Sequence, residues 1–268
     1  METPEVGSWA EDKYRLVRFY ADVFTKSMRG KWDSLVYIDL FAGAGRSKIE
    51  GTSYIVPSSP LLALDTSVKF SKYVFCEANT KKLQALTERV KTLHPDLDVE
   101  FIAGDSNSNV DIILKAIPQK GSVLSFCFVD PYMLENLKFQ TLRKLSTKKM
   151  DFLILIPSFM DANRELKHYI QESNKRVEEF TGSLSWREDW NNALYKGAAF
   201  GPFVADLVGR QMAGMKYRYS GLDGMLLIKQ PKKNSPMYHL AFFSKSDLAD
   251  KFWKQAKKYC SDQPDLFN

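Results

Sequence analysis

Only three cysteines, Cys76, Cys127 and Cys260, occur in 268 residues. They stand far apart and lack the paired spacing of a metal site, which argues against both a cysteine zinc site and a disulfide framework. Histidine is equally scarce, and His94, His168 and His239 show no ligand partners in the sequence. No apolar run approaches the roughly 20 residues that cross a bilayer. Met1 to Trp9 has neither a basic n-region nor an apolar h-region, so it does not read as a secretory signal. The expectation is a soluble, cytoplasmic chain. Internal repeats and low-complexity segments are also missing. What is present is ordinary globular composition, 44% apolar and 26% charged, enough apolar surface to offset chain entropy.

Charge is unevenly placed. The chain carries 38 basic and 32 acidic residues, a net +6. From Lys216 to Lys258 ten Lys or Arg face three Asp (Asp223, Asp247, Asp250), and the remainder is nearly neutral. One reading is the solvated face of a hairpin and helix. The other is a phosphate-facing surface for nucleic acid, with Lys232 and Lys233 at its tip.

Hydrophobic periodicity predicts an amphipathic helix over 11–29, with Leu16, Phe19, Tyr20, Val23 and Phe24 on one face. A strand follows over 35–41, then a polar loop over 46–57 and a helix over 60–70. Strands are expected at 73–77, 99–103, 122–129 and 151–156, alternating with helices at 79–93, 108–116 and 137–145. Buried strands alternating with helices mean parallel βαβ units covered on both faces. The rhythm breaks over 158–222, where three helices are expected, one capped by Asp161 and one by a capping box at Ser185–Glu188. Strands at 225–229 and 237–243 are joined too closely to be parallel, so they form an antiparallel hairpin before a helix at 246–259. The expected fold class is α/β, a Rossmann-like class I methyltransferase sheet of parallel strands with an antiparallel C-terminal hairpin and a helical insertion. Its parts are an N-terminal helix (1–30), a cofactor-binding core (31–157), the insertion (158–222), a hairpin and helix completing the core (223–260), and an extended tail (261–268).

Chemistry in such folds sits at strand ends. Asp39-Leu40-Phe41-Ala42-Gly43-Ala44-Gly45 follows the first strand. Its two glycines let the backbone turn sharply beside a ligand. Gly-x-Gly without a third glycine fails the dinucleotide fingerprint, and no Gly-Lys-Ser/Thr follows to make a P-loop. Asp-x-Phe-x-Gly-x-Gly is the nucleoside turn of S-adenosylmethionine enzymes, so Asp39, Phe41, Ala42, Gly43 and Gly45 are candidate cofactor residues. Glu77 ends the second strand, where an acid can accept both ribose hydroxyls. Its gap from Gly45 is long, which the helix at 60–70 explains if that helix is a local insertion. Asp105 ends the third strand and suits the adenine amino group. Asp130-Pro131-Tyr132 ends the fourth. Amino-methyltransferases of nucleic acids place Asp/Asn-Pro-Pro-Tyr/Phe there, the carboxylate or amide accepting from the target amine and the aromatic stacking on a flipped base. With one proline missing, the aromatic arrives one residue early. Cys76, Cys127, Trp186 and Trp190 read as core residues.

These motifs, with Phe152–Pro157, Tyr238–Lys245 and Lys251–Lys254, resemble the three-Cys-motif partner (TcmP) family over most of residues 12–258. That family has Ala-Gly-Pro-Gly where this chain has Ala42-Gly43-Ala44-Gly45. The family is similar to S-adenosylmethionine-dependent methyltransferases and is named for a neighbouring three-cysteine protein of radical, iron–sulfur type. The resemblance therefore implies the cofactor S-adenosylmethionine and that protein as partner. Two functions are expected: methyl transfer to an amino group of a nucleic acid, from the Asp130-Pro131-Tyr132 motif, or a non-catalytic partner role on the same fold, from the resemblance. Finally, Gln263, Leu266 and Phe267 near the C-terminus resemble the short peptide by which bacterial proteins hold the sliding clamp of the replisome.

Overall fold

The computed structural model describes residues 2–231 and 233–262, the side chains of 259–262 apart. Lys232, Gln263, Leu266 and Phe267 therefore lie outside the described residues. The elements run β1 (Glu5–Val6), α1 (Ala10–Met28), β2 (Ser34–Asp39), β3 (Arg46–Ile49), β4 (Ile55–Pro57), α2 (Ser59–Leu64), β5 (Lys72–Glu77), α3 (Thr80–Leu93), β6 (Val99–Ala103), α4 (Val110–Ala116), β7 (Val123–Val129), α5 (Phe139–Leu145) and β8 (Met150–Ile156). A single π-helical turn (Ser158–Ala162) leads into α6 (Leu166–Tyr169), α7 (Arg176–Thr181), α8 (Trp186–Tyr195) and α9 (Phe200–Gly214). The chain then forms β9 (Leu226–Gln230), β10 (Ser235–Phe243) and α10 (Asp247–Asp262). Among the described residues, no helix is long and apolar enough to cross a membrane.

Seven strands make one sheet in the order β6-β5-β2-β7-β8-β10-β9. β2 pairs in parallel with both β5 and β7, β5 with β6, and β7 with β8. β10 is antiparallel to β8 and to β9, and so enters between them as a reversed strand. This is the class I methyltransferase arrangement expected from the sequence. Because the chain starts at β2, builds outward to β6 and then returns to β7, the order reverses beside β2, the kind of switch point at whose strand carboxyl ends doubly wound sheets bind ligands.

Alternation along each strand sorts side chains into two layers. Val36, Ile38, Cys76, Cys127 and Ile154 pack with Ile113, Leu142, Trp186 and Leu207 of α4, α5, α8 and α9. Leu35, Tyr37, Phe75, Phe126 and Leu153 pack with Leu16, Tyr20, Phe24, Leu86 and Trp253 of α1, α3 and α10. The α8–α9 insertion thus shares the sheet's own core. Trp190 meets Phe200 edge-on at 4.9 Å, which accounts for both tryptophans as packing residues.

Several expectations change. The segment 46–57 is a hairpin, β3 and β4, to which β1 adds in parallel to make a second, three-stranded sheet. That hairpin is the insertion that lengthens the gap between Gly45 and Glu77; α2 is the ordinary crossover helix. α2 stops at Leu64 because the Thr66 hydroxyl donates to the carbonyls of Ala63 and Val68, and Phe70 turns inward to stack on Phe24. The first strand ends at Asp39, since Leu40 and Phe41 already belong to the turn. The buried face of α1 is Leu16, Val17, Tyr20, Ala21 and Phe24, rotated from the expected face, so that Phe19 and Val23 lie on its flank. The insertion has four helices after its π turn, where three were expected. Asp161 caps none of them, and the Ser185 hydroxyl donates to Asp189 instead of closing a capping box with Glu188.

Candidate functional site

The parallel strands deliver Asp39, Glu77, Asp105 and Asp130 to one edge of the sheet, and backbone bonds lock their order. Leu40 N–H donates to Phe128 O, Ala42 N–H to Cys76 O, and Gly104 N–H to Glu77 O. The turn after β2 then has two left-handed glycines, Gly43 at φ +65° and Gly45 at φ +82°. Gly43 faces open space, and a side chain there would meet nothing within 4 Å. Gly45 is a packing position, where a Cβ would lie 2.8 Å from Leu86 Cδ1. One glycine thus leaves room for a ligand, and the other seats the turn on α3.

Asp39 is fully buried. Its Oδ1 accepts from Phe41 N–H at 3.1 Å and its Oδ2 from the Tyr37 hydroxyl at 3.5 Å. Burial pushes its carboxyl up to about 7, against the lowering effect of the Ser59 hydroxyl and the Phe41 amide. It therefore shapes the turn from beneath. Phe41 is half-buried beside the core, and Ala42 is buried. Glu77 grips the same turn from the neighbouring strand, Oε2 accepting from Gly43 N–H at 2.8 Å, while Oε1 accepts from Asn79 N–H at 2.7 Å in its own following loop. Each carboxylate oxygen has a second lone pair left over for a ligand hydroxyl. Asp105 is exposed and closes an Asx turn, accepting from Ser108 N–H, the Ser108 hydroxyl and the Asn107 amide. Beside it, the buried Ser106 hydroxyl has no partner.

Asp130 follows β7. Pro131 is buried, and Tyr132 stands 73% exposed. The Lys13 ammonium reaches across from α1 to Asp130 Oδ2 at 2.5 Å. Burial acts to lower the pKa of Lys13, but the charges of Asp130 and its neighbours outweigh it and hold the lysine well above its ordinary value. The loop beyond is pinned on both sides. Asp161, in the π turn, accepts from Leu134 N–H at 2.6 Å and from the Tyr169 hydroxyl at 2.8 Å. Asn107 donates to Asn136 O and accepts from Lys138 N–H. His239 is buried, its Nδ1 2.8 Å from the Ser158 hydroxyl, and burial lowers its pKa to about 4.

The structure thus brings Asp39, Glu77, Asp105 and Asp130 to one edge. Asp39 feels the charges of both Asp130 and Glu77. Sequence reasoning missed Lys13 and Arg89, and gave Asp161 the role of a cap instead of an anchor for Leu134 N–H. Arg89 is bonded to the Ala44 carbonyl of the turn and to the Thr3 hydroxyl. The available signal for Lys13 was a lysine at the i−3, i−4 and i−7 positions of Leu16, Val17 and Tyr20, where an apolar residue belongs.

The basic hairpin tip lies at this same edge. His239 pairs with Ile156, the last residue of β8, so 235–238 run on past it by about 13 Å at ~3.3 Å per residue. Lys229 and Lys233 are exposed there, and among the described residues no ion pair engages them. Asp247 and Asp250 are taken by Arg218 and Lys254. A groove of about 600 Å³ runs along the flank of α1, lined by Tyr14, Arg18, Phe19, Val23, Val56 and Leu62.

No protein-family model matches the chain, and no curated protein matches it. Among solved structures it is similar to protein LPL1258 from Legionella pneumophila, at 11% identity over 93% of this chain and 94% of that one, with a TM-score of 0.50. It is also similar to an O-methyltransferase from Bacillus cereus solved with SAH, at 10% identity over 87% and 80% of the two chains, with a TM-score of 0.49. What this chain shares with LPL1258 is the fold, an α/β arrangement around a mostly parallel sheet.

Proposed function

We propose that the protein is an S-adenosylmethionine-dependent methyltransferase acting on an amino group of a nucleic acid. The observation that carries the reading is the convergence, on one sheet edge, of a glycine turn held by Glu77 with the Asp130-Pro131-Tyr132 motif. The residues present fit the cofactor. Gly43 leaves open space at the turn, Glu77 keeps free lone pairs, and the orphaned Ser106 hydroxyl lies buried beside Asp105. Glu77 would hold the ribose, Asp105 and Ser106 the adenine, and the backbone of Phe41–Gly45 the remainder. When bound, S-adenosylmethionine supplies an electrophilic methyl group. Asp130 would hold the acceptor amine and take its proton, and the exposed Tyr132 ring would stack on the base. Positioning of this kind supplies about 7–11 kcal/mol of barrier reduction. Lys229, Lys232 and Lys233 would meet the phosphates.

The test is isothermal titration with S-adenosylmethionine, followed by tritium transfer to single-stranded DNA and RNA oligonucleotides. Absence of binding at millimolar cofactor sinks the reading. One observation favours a second reading, a non-catalytic partner of a three-cysteine-motif protein, as the TcmP resemblance implies: Lys13 already occupies one oxygen of Asp130. Cofactor binding without transfer to any nucleic acid would favour it. The clamp-binding reading of Gln263, Leu266 and Phe267 stands beside both. It predicts that purified sliding clamp retains the intact chain but not one truncated after Asp262.

A further inference from the structure

Asp130 is not a lone carboxylate at the strand ends. The Lys13 side chain is 11% exposed, with Nζ 2.5 Å from Asp130 Oδ2 and 5.1 Å from the centre of the Tyr14 ring. Lys13 cannot leave with a mobile arm, because its helix is fastened over the next two turns by Leu16, Val17, Tyr20 and Ala21, all within 1% of full burial. Tyr14 and Tyr238 also act on the charge of Lys13, and Asp39 acts on that of Tyr14. The lysine stays an ammonium, since the neighbouring carboxylate outweighs the cost of its burial. Asp130 Oδ1 has no hydrogen bond among the described residues.

We infer that Lys13 is a specificity-determining residue of this site, selecting neutral planar amines, such as the exocyclic amino group of a nucleobase, against alkylammonium acceptors. The inference rests on the proposed role of Asp130 in holding the acceptor. An unpaired carboxylate in a partly buried crevice attracts a primary ammonium strongly. Here that charge is already balanced, and a second ammonium reaching Oδ1 would stand beside the first as a like charge. A neutral amino group meets no such repulsion. It needs one acceptor, which Oδ1 provides, and a flat surface, which Tyr132 provides.

The experiment is isothermal titration of the full chain with N-acetyl-lysine methylamide and with adenosine monophosphate, with and without S-adenosylhomocysteine. Wild type is compared with Lys13→Met, Lys13→Gln and Lys13→Arg. Both neutral variants should gain at least about tenfold in affinity for the lysine derivative, the smaller end of what a hydrogen bond to a charged group supplies. Lys13→Arg should reject it as wild type does. No gain in either folded neutral variant overturns the inference. So does wild-type protein that prefers the lysine derivative to the nucleotide, a comparison that needs no variant to fold. Failure to bind S-adenosylhomocysteine would overturn the cofactor reading instead, while the acceptor comparison made without it still decides the role of Lys13.

Discussion

Asp39→Asn should make the protein more stable at pH 8 and leave it nearly unchanged at pH 4.5. Asp39 is fully buried, and its carboxyl titrates near 7 in the folded protein against 3.8 as its ordinary value. In the unfolded chain it ionises at the ordinary value. The folded state therefore keeps a proton that the unfolded state releases between about pH 4 and pH 7, and stability is lost as pH rises through that window. The two values differ by about three units, which caps the loss at about 4 kcal/mol, reached above pH 7. Asparagine carries no charge to desolvate, and its Oδ1 can still accept from Phe41 N–H, so the turn keeps its anchor. Urea unfolding of both proteins at the two pH values reads the difference directly. The variant should be about 2–4 kcal/mol more stable at pH 8 and within about 1 kcal/mol of wild type at pH 4.5. Asp151, raised to about 6 by burial, slopes the same way in both proteins and cancels in the comparison. An equal difference at both pH values, or a variant weaker at pH 8, would refute the assignment of a costly buried charge to Asp39.

Glu77→Ala removes both acceptors offered to a ribose, the hydrogen bond from Gly43 N–H that holds the turn, and the one from Asn79 N–H. S-adenosylmethionine affinity should fall by about 2–4 kcal/mol, roughly 30-fold or more by titration calorimetry, with Glu77→Gln between the two; unchanged affinity would show that β5 does not point at the ribose. Replacing Lys229, Lys232 and Lys233 with Glu should weaken nucleic-acid binding across all sequences and flatten its salt dependence. Affinity indifferent to these lysines and to salt would make the tip merely solvated. Gly45→Ala should cost clearly more folding stability than Gly43→Ala, because only the former drives a Cβ against Leu86 and Leu61. Gly43→Ala should cost about 1 kcal/mol for its left-handed backbone, and the reverse order in urea melts would count against the packing role of Gly45.

The sheet was legible because β2, β5, β7 and β8 are continuous apolar runs of strand length, and burial on both faces requires such runs. The reversed hairpin followed from the short 230–236 connection expected between its strands. The small second sheet was not legible. Arg46-Ser47-Lys48-Ile49 buries only Ser47 and Ile49, and its partner β1 has two residues some forty positions upstream. Pairing at that distance leaves no local pattern. The acidic strand ends could be found because each sits where an apolar run stops. Lys13 could not be placed, since its partner is 117 residues away and only the packing of α1 brings the two together. Asp161 was mistaken for a cap for the same reason: a capping residue and a buried anchor for Leu134 N–H look alike in sequence.

The insertion of β10 between β8 and β9 sets the order in which a growing chain can hide its surfaces. All seven residues of β8 are buried in the finished sheet, yet one edge of that strand has no partner until β10 is made, roughly 80 residues later. At the usual ~5–20 residues/s of synthesis, that edge waits roughly 4–16 s beside the ribosome. Met150-Asp151-Phe152-Leu153-Ile154-Leu155-Ile156 is the kind of segment that aggregates when left open. Asp151 is its single charge, bonded in the folded protein to the Tyr20 hydroxyl. Before β10 arrives to complete its surroundings, that carboxylate acts as a gatekeeper on an otherwise apolar edge. An apolar residue at 151 would remove a buried charge from the finished fold and expose the nascent chain to aggregation while it waits.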